Sequence, residues 1–311
     1  MIRFVQHKDI DSIKWDQAIA KAQYSTLFAR YEMLDALTSP GTWHALVEDE
    51  YHAVMPLPAR SKFGISYLYT PFFMPQMGVF SPATLACPDT RRFLAAIPQR
   101  YKQADLVLNV HNETDEAATE LVSHALDLQK PYEHLRAQFS QNTVRNIRSA
   151  ERQGTIITFG EPVIEETIRL FRENRGHVSD VHFQAQDYQR LAVVAQQLEA
   201  QGALLTVSAR TPDGTLIAGA LFVLDAPRMW FWFSGRDNRY AEHKPLFLLM
   251  DRVIQHYADQ AWILDFNGSR NPNVARMYRS FGGEPYTIPL VSLSRSRILQ
   301  KMAEVGRKIR G

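Results

Sequence analysis

Apolar residues in the second half of this chain follow spacings that change from strand-like to helix-like and back. Two apolar runs, 204–209 and 216–224, flank the turn Pro212-Asp213-Gly214 and predict a β-hairpin. An apolar residue at every third or fourth position after Pro245 predicts an amphipathic helix. The helical face comprises Leu246, Met250, Val253, Ile254 and Tyr257. The predicted elements are strands 204–209, 216–224 and 229–233, helix 245–257, strand 262–266, helix 272–281 and strand 286–291.

The first half shows the same predicted order of elements with little residue identity. Its hairpin lies at 43–47 and 53–57, and further helical stretches precede the hairpin in both halves. The pattern therefore predicts an α/β (α+β) fold of two tandem domains, each a mixed β-sheet flanked by helices. The later elements of this half are strand 65–69, a helix with Phe93, Leu94, Ile97 and Tyr101, strand 106–110, a helix with Ala117, Leu121, Val122 and Ala125, and an extended piece at 132–135.

Length supports a division into domains, because 311 residues exceed the usual size of a single core. We expect an N-terminal domain at 1–138 and a C-terminal domain at 156–292. A basic helix at 139–155 is expected to connect them, and a second basic helix is expected at 293–311. Both basic helices fit either an anionic partner or a solvated surface.

Composition is that of an ordinary globular protein, with 45% hydrophobic and 22% charged residues. The net charge of +2 gives no overall field that would demand nucleic acid as a partner. Cys87 is the only cysteine, so no internal disulfide can form. The first residues lack the apolar core of a signal peptide, and no run approaches the roughly 18 apolar residues of a membrane span. We expect a cytoplasmic protein without a transmembrane segment.

The segment 265–283 carries the strongest local signal for chemistry. Asp265 ends an apolar strand, Asn271-Pro272 is a good helix start, and Gly282-Gly283 ends the helix. This arrangement places Asp265, Asn273 and Tyr278 at the carboxyl end of a strand, where α/β sheets bind ligands.

The spacing of Asn273, Ala275, Tyr278 and Phe281-Gly282 resembles the last helix motif of the GNAT superfamily of acyl-CoA-dependent N-acyltransferases. The tandem order of elements resembles the FemAB-like family, which contains the peptidoglycan interpeptide-bridge transferases. The segments that carry this second resemblance are Trp15-Asp16, Ser25-Thr26-Leu27-Phe28, Tyr31-Glu32-Met33-Leu34, 53–60, Tyr69-Thr70-Pro71, Gln76-Met77-Gly78-Val79-Phe80, Phe139-Ser140, 144–150 and Gly154.

These resemblances imply an N-acyltransferase that moves an acyl group from acyl-CoA to a small-molecule or peptide amine. Asp265 is then the candidate base, and Tyr278 is the candidate acid that protonates the departing thiolate. Each residue also has a structural interpretation. Asp265 would cap the following turn, and Tyr278 would belong to the core with Val274 and Phe281.

The loop 234–244 precedes a helix start, where the GNAT resemblance implies that the pyrophosphate of coenzyme A binds. It contains a single glycine but several polar and cationic side chains, so an anion site and a solvated surface loop are both compatible with it. The candidate cofactor-binding residues are Ser234, Arg236, Arg239, His243, Lys244 and Asn273.

Two further loops supply candidate substrate-binding residues. The resemblance implies that 172–183, with His177 and Asp180, borders the acceptor pocket; a plain surface loop is the alternative. The loop 69–78 offers Tyr69 and Gln76 among apolar residues, as a groove floor or as an inter-domain plug. We expect no metal, because His177 and His182 have no third ligand at metal-site spacing.

Two alternative functions follow from the same resemblance. One is a FemAB-type aminoacyltransferase that uses aminoacyl-tRNA on a peptidoglycan precursor, although the coiled-coil arm of the tRNA-reading enzymes is not visible in this sequence. The other is a non-catalytic GNAT-fold binding module, which the glycine-poor loop 234–244 favours.

Overall fold

The computed structural model describes residues 1–84, 86–114, 118–176, 178, 183–268 and 272–295. Its contacts divide the chain into two compact units. The first unit contains residues 1–121 together with those from 287 onward, and the second contains 122–286. None of the described helices combines the length and hydropathy that a membrane crossing requires.

The first half of the chain is rich in strands. A 3₁₀ turn follows the first strand and another precedes the second helix. The elements in chain order are β1 (Ile2–Val5), α1 (Ser12–Lys21), α2 (Tyr31–Leu37), β2 (Trp43–Glu48), β3 (Ala53–Lys62), β4 (Ile65–Tyr69), α3 (Cys87–Ala96), β5 (Tyr101–Val107) and β6 (Ala118–Asp127).

The second half alternates between helices and strands. A 3₁₀ segment, Asn238–His243, leads into its central helix. The elements are α4 (Tyr132–Ala137), α5 (Gln141–Arg152), β7 (Ile156–Phe159), α6 (Ile164–Asn174), α7 (Ala185–Ala200), β8 (Leu204–Arg210), β9 (Leu216–Asp225), β10 (Arg228–Arg236), α8 (Pro245–Tyr257), β11 (Ile263–Asp265), α9 (Pro272–Ser280) and β12 (Glu284–Ser294).

Each unit is built on a mixed sheet. In the first unit the strand order is β1-β2-β3-β4-β5-β12, with a parallel pair between β4 and β5. In the second unit the order is β6-β11-β10-β9-β8-β7, with a parallel pair between β10 and β11. The prediction of an α/β fold with mixed sheets flanked by helices is confirmed.

Two strands are exchanged between the halves of the sequence. Strand β6 comes from the first half, but its residues 125–127 pair with β11 of the second unit. Strand β12 ends the second half, but its residues 290–294 pair with β5 of the first unit. The units therefore do not coincide with the predicted segments 1–138 and 156–292, and the predicted connecting helix lies within the second unit as α5.

Three local predictions in the first half are wrong, and one of them concerns Tyr101, which was expected in a helix but begins strand β5. The stretch around Leu121 and Ala125, expected as a helix, is strand β6, and the extended piece expected at 132–135 is helix α4. Short apolar runs fit both periodicities, and pairing of β6 with β11 decides in favour of a strand. Pro131 is the N-cap of α4, and Leu135 of this helix is buried. The C-terminal helix expected at 293–311 falls mostly outside the described residues, and its first two positions end β12.

The core of the second unit forms where the amphipathic helix α8 packs against the sheet. Met250, Val253 and Ile254 are buried, as their helical spacing predicts. Burial of each such side chain contributes about 1.5–3 kcal/mol relative to exposure. The loops at the carboxyl ends of β10 and β11 are thereby held on a rigid support.

Candidate functional site

Strands β10 and β11 separate at the carboxyl edge of the second unit's sheet, and we call this place of separation the crevice. The two strands pair in parallel only between 228–230 and 263–265. Beyond Trp230, the described part of β10 continues to Arg236 paired with β9 alone, and its register shifts between Phe231 and Phe233. Strand β11 ends at Asp265. A bulged strand that leaves its parallel neighbour creates a gap at the carboxyl edge of a sheet, where ligands of α/β proteins bind.

Tyr278 of α9 lies in this crevice. Its ring stacks on Phe266 at 4.9 Å between centroids and meets Phe231 edge-on at 6.2 Å. These two phenylalanines directly follow the last paired residues of β11 and β10. The Tyr278 side chain retains 7% of its exposure, and its hydroxyl makes no hydrogen bond to any described residue. Burial raises the pKa of Tyr278, so the phenol keeps its proton at neutral pH.

Asp265 is completely buried beneath the crevice and accepts hydrogen bonds from several donors. Arg228 Nη1 donates to Oδ2 at 2.6 Å, and the Tyr286 hydroxyl donates to the same oxygen at 2.5 Å. Ser123 Oγ donates to Oδ1 at 3.2 Å, and the amide of Asn267 donates to Oδ1 at 2.9 Å. The carboxylate thus ties β6, β10, β12 and the turn after β11 together.

The electrostatics of Asp265 follow from this burial. Desolvation raises the pKa of Asp265, while Tyr286 and Arg228 oppose that rise by stabilising the carboxylate. Burial raises the pKa of Tyr286, and the negative charge of Asp265 raises it further. The carboxylate of Asp265 has no exposed surface, and both of its oxygens accept hydrogen bonds. Its effect is therefore to fix the positions of the strands around it. The prediction that Asp265 is a base stays a prediction, and this geometry favours a positioning role.

His124 of β6 is a second polar residue buried beside Tyr278. The two ring centroids are 6.3 Å apart, and His124 Nδ1 has no hydrogen-bond partner in the described structure. Burial lowers the pKa of His124, and the charge of Arg279 lowers it further. The imidazole is therefore neutral at neutral pH.

One of the predicted anion-binding cations of the loop 234–244, Arg239, is engaged in the structure of the loop itself. Asp237 accepts hydrogen bonds from the backbone amide and from both Nε and Nη2 of Arg239, in a bidentate ion pair. A Cβ on Gly235 would overlap the carbonyl oxygen of Thr167, so this glycine permits close packing of α6 on β10. Gly235 is thus required for packing, and Arg239 already has an anionic partner.

The remaining predicted residues of this loop are spread along it. Ser234 pairs with Ala220 in the sheet, and Arg236 is exposed at the end of β10. His243 is half-buried, with Nδ1 enclosed and without a partner among the described residues. Lys244 adopts a left-handed φ of 48° and directly precedes α8, whose first turn has no side-chain cap.

A cleft of about 520 Å³ lies beside α9 in the second unit. Its apolar floor includes Phe247 from the first turn of α8 and Met277 of α9. Predicted residue Asn273 belongs to this cleft. The lining residues are Ser140, Asn142, Phe247, Asn273, Arg276, Met277, Arg279 and Ser280.

The cleft has the character of an anion site. Arg276 and Arg279 are exposed, and neither forms an ion pair with any residue that the structure describes. Ser140, which is the N-cap of α5, and Phe247 in the first turn of α8 line the same cleft. The start of α5 is fixed to the end of α9, because Thr143 Oγ1 donates to Ser280 Oγ at 2.7 Å and the Ser140 amide donates to the Ser280 carbonyl at 2.9 Å.

The predicted substrate-binding residues of the first unit have structural contacts. Gln76 is completely buried, and its Oε1 accepts a hydrogen bond from the amide of Val110 at 3.1 Å. Tyr69 is half-buried, with the Arg60 guanidinium 4.2 Å above its ring. His177 and Asp180 lie outside the described residues. Within the described part of the chain, no three His, Cys, Asp or Glu side chains are grouped as metal ligands.

Sequence reasoning did not find several residues of this site. Arg228, Ser123 and Tyr286 contact Asp265 from 37, 142 and 21 positions away in the chain. Ser123-His124 is a polar pair inside an apolar stretch. In a strand, such a pair indicates a buried polar site, but the stretch was predicted to be a helix. Arg276 and Arg279 are three positions apart on α9, which marks one helical face.

Residues 137–272 match the family model described as acetyltransferase (GNAT) domain, and this range lies within the second unit. No curated protein sequence matches the chain. Among solved structures, the chain is similar to FemX, with 11% identity, a TM-score of 0.64, and coverage of 90% of this chain and 96% of that one.

Two further solved structures are similar over nearly their whole length. L-PGS from Bacillus licheniformis shares 10% identity at a TM-score of 0.56, with 96% of each chain covered. A tandem GNAT protein from the clavulanic acid biosynthesis pathway shares 11% identity at a TM-score of 0.51, with 95% of this chain and 99% of that chain covered. At such identities the similarity concerns the fold. The chain therefore has a tandem GNAT, FemAB-like fold.

Proposed function

We propose that the second unit is an N-acyltransferase that transfers an acyl group from acyl-CoA to a small-molecule or peptide amine. The observation that carries this proposal is the position of α9, which borders both the cationic cleft and the crevice between β10 and β11. The match of residues 137–272 to the GNAT domain supports it, because that domain lies in the same unit.

The cleft fits the phosphates of the donor better than the loop 234–244 does. Arg276 and Arg279 are available for charge-assisted hydrogen bonds, which are about twice as strong as neutral ones. Phe247 and Met277 offer apolar contact to the rest of the donor. The resemblance of the sequence to the FemAB-like family leaves aminoacyl-tRNA as an alternative donor, whose phosphates would meet the same arginines.

In acyl transfer, the amine nitrogen bonds to the acyl carbon while the carbon–sulfur bond of the thioester breaks. The amine loses a proton to water, and the leaving thiolate gains one from an acid that water then reprotonates. We assign the second proton to Tyr278, whose phenol remains protonated and reaches the crevice. Asp265 is assigned a positioning role, because it accepts hydrogen bonds from Arg228, Tyr286 and the amide of Asn267.

Calorimetric titration with acetyl-CoA and with a longer acyl-CoA tests the proposal. We expect saturable binding of at least one of them, with a dissociation constant between about 1 µM and 1 mM, the usual range for enzyme substrates. Binding of neither acyl-CoA would contradict the proposal. In that case binding of aminoacyl-tRNA would identify the aminoacyltransferase alternative, and failure of both donors would favour a non-catalytic binding module.

A further inference from the structure

The hairpin between β3 and β4 ends in an unusual turn. Lys62 pairs directly with Ile65, which leaves Phe63-Gly64 as a two-residue turn. Phe63 has φ = 52° and Gly64 has φ = 76°, so both residues adopt the left-handed backbone of a type I′ turn. The Phe63 side chain is 92% exposed. An aromatic ring therefore projects from the tip of a regular hairpin.

Folding of the hairpin does not account for this residue. Type I′ turns favour asparagine or aspartate before glycine, and a bulky side chain with positive φ strains its backbone. Because the ring is exposed, burial within the chain does not compensate for this strain. A residue that strains its backbone and exposes apolar surface is a candidate for function.

The side chains next to Phe63 make one face of the hairpin both cationic and aromatic. Directly opposed residues share a face, so Arg60 lies with Tyr67 and Lys62 lies with Ile65. The Lys62 ammonium is 5.6 Å from the Phe63 ring, and Ile65 is 36% exposed. Residues 58–69 contain no carboxylate. The tip is apolar, and the residues behind it carry positive charge and phenol groups.

We propose that this hairpin docks the first unit onto an anionic lipid surface. Phe63 and Ile65 enter the boundary between headgroups and acyl chains, and Lys62 and Arg60 meet lipid phosphates. Tyr67, 6.3 Å from Tyr69, lies at headgroup depth, where tyrosine is enriched in membrane proteins. An exposed isoleucine beside the ring favours lipid over nucleic acid, because a base would stack on Phe63 but gain nothing from Ile65.

Sedimentation of the full chain with lipid vesicles tests this inference. We expect binding to vesicles of equal parts phosphatidylglycerol and phosphatidylcholine, and much weaker binding to pure phosphatidylcholine. Phe63→Asn should weaken binding about tenfold through the loss of apolar insertion. Lys62→Ala should weaken it about fivefold, because each cation near an anionic surface adds an increment of this size.

The variants separate docking from folding. Asparagine suits the left-handed position, so Phe63→Asn should not destabilise the hairpin. Ile13→Asn on α1 removes another exposed apolar side chain and should leave vesicle binding unchanged. The inference is overturned if the wild-type chain does not bind phosphatidylglycerol vesicles, or if Phe63→Asn binds them as tightly as the wild type does. A Phe63-dependent affinity for RNA in place of vesicles would overturn it as well. Acyl-CoA binding by Phe63→Asn should be unaffected, which keeps this test independent of the proposed function.

Discussion

At the scale of single residues, the site depends on a carboxylate that solvent does not reach. Asp265 pairs with Arg228, whose side chain is itself largely buried. Asp265→Asn removes the negative charge and leaves this guanidinium without its counter-charge. We expect a loss of about 3 kcal/mol in the free energy of unfolding, measured by urea titration, since breaking a buried pair is costly.

The control for this prediction is Asp127→Asn, which changes an exposed carboxylate on the neighbouring strand β6. Its effect should stay within about 0.5 kcal/mol. Equal urea midpoints for Asp265→Asn and the wild type would show that the carboxylate does not hold the strands together.

For Tyr278 we expect a large effect on the rate of acyl transfer and a small effect on stability. Its hydroxyl has no partner among the described residues, so Tyr278→Phe should change the free energy of unfolding by less than about 0.5 kcal/mol. If the phenol protonates the leaving group, turnover should fall by roughly 10²-fold or more. Steady-state rates of acyl transfer measure this effect. Tyr257→Phe makes the same chemical change in α8 and should keep the wild-type rate. A wild-type rate in Tyr278→Phe would assign Tyr278 to the core alone.

Asp265 and Tyr278 could be proposed as candidates from the sequence, whereas the residues that surround them could not. A carboxylate at a strand end and a tyrosine on the following helix are local patterns. The contacts from Arg228, Ser123 and Tyr286 depend on strand pairing across the second unit. The ion pair of Arg239 with Asp237 was local, yet a run of charges gives no indication of which cations pair with one another.

At the scale of elements, each half of the sequence contributes one strand to the sheet of the other half's unit. The second unit needs β6, which precedes the predicted C-terminal domain, and the first unit needs β12. A fragment of residues 122–286 should therefore unfold cooperatively by itself. A fragment of residues 156–292 lacks β6, α4 and α5 and should lack a cooperative transition.

Urea unfolding followed by circular dichroism compares the two fragments directly. The same midpoint and the same slope for both fragments would contradict the exchange of β6 into the second unit. Fragment 122–286 with a sharp transition and fragment 156–292 without one would support it.

The elements that were predicted well have local signals at both ends. Helix α8 begins at Pro245 and shows a single apolar face, and the hairpin of β8 and β9 is marked by Pro212-Asp213-Gly214. Strand β6 has no such marker, and its polar Ser123-His124 pair obscures the alternation. Its identity comes from pairing with β11, more than a hundred residues later, which no local pattern encodes.

At the scale of the whole molecule, the sequence predicted the tandem GNAT-like architecture, and the structure suggests a different location for the anion site. The sequence-based prediction uses Arg236, Arg239 and Lys244 in one loop. The structure brings Arg276 and Arg279 together with the starts of α5 and α8 around a cleft. The two locations predict that different pairs of arginines determine the affinity for coenzyme A.

The affinity of the full chain for coenzyme A, measured by calorimetry in matched double variants, tests the account most directly. Arg276→Ala with Arg279→Ala should weaken binding by roughly tenfold or more, because charge-assisted hydrogen bonds to phosphate are lost. Arg236→Ala with Arg239→Ala should bind within about twofold of the wild type, since Arg239 is already paired with Asp237. Unchanged affinity in the first variant together with a loss in the second would contradict the account and move the donor site to the loop 234–244.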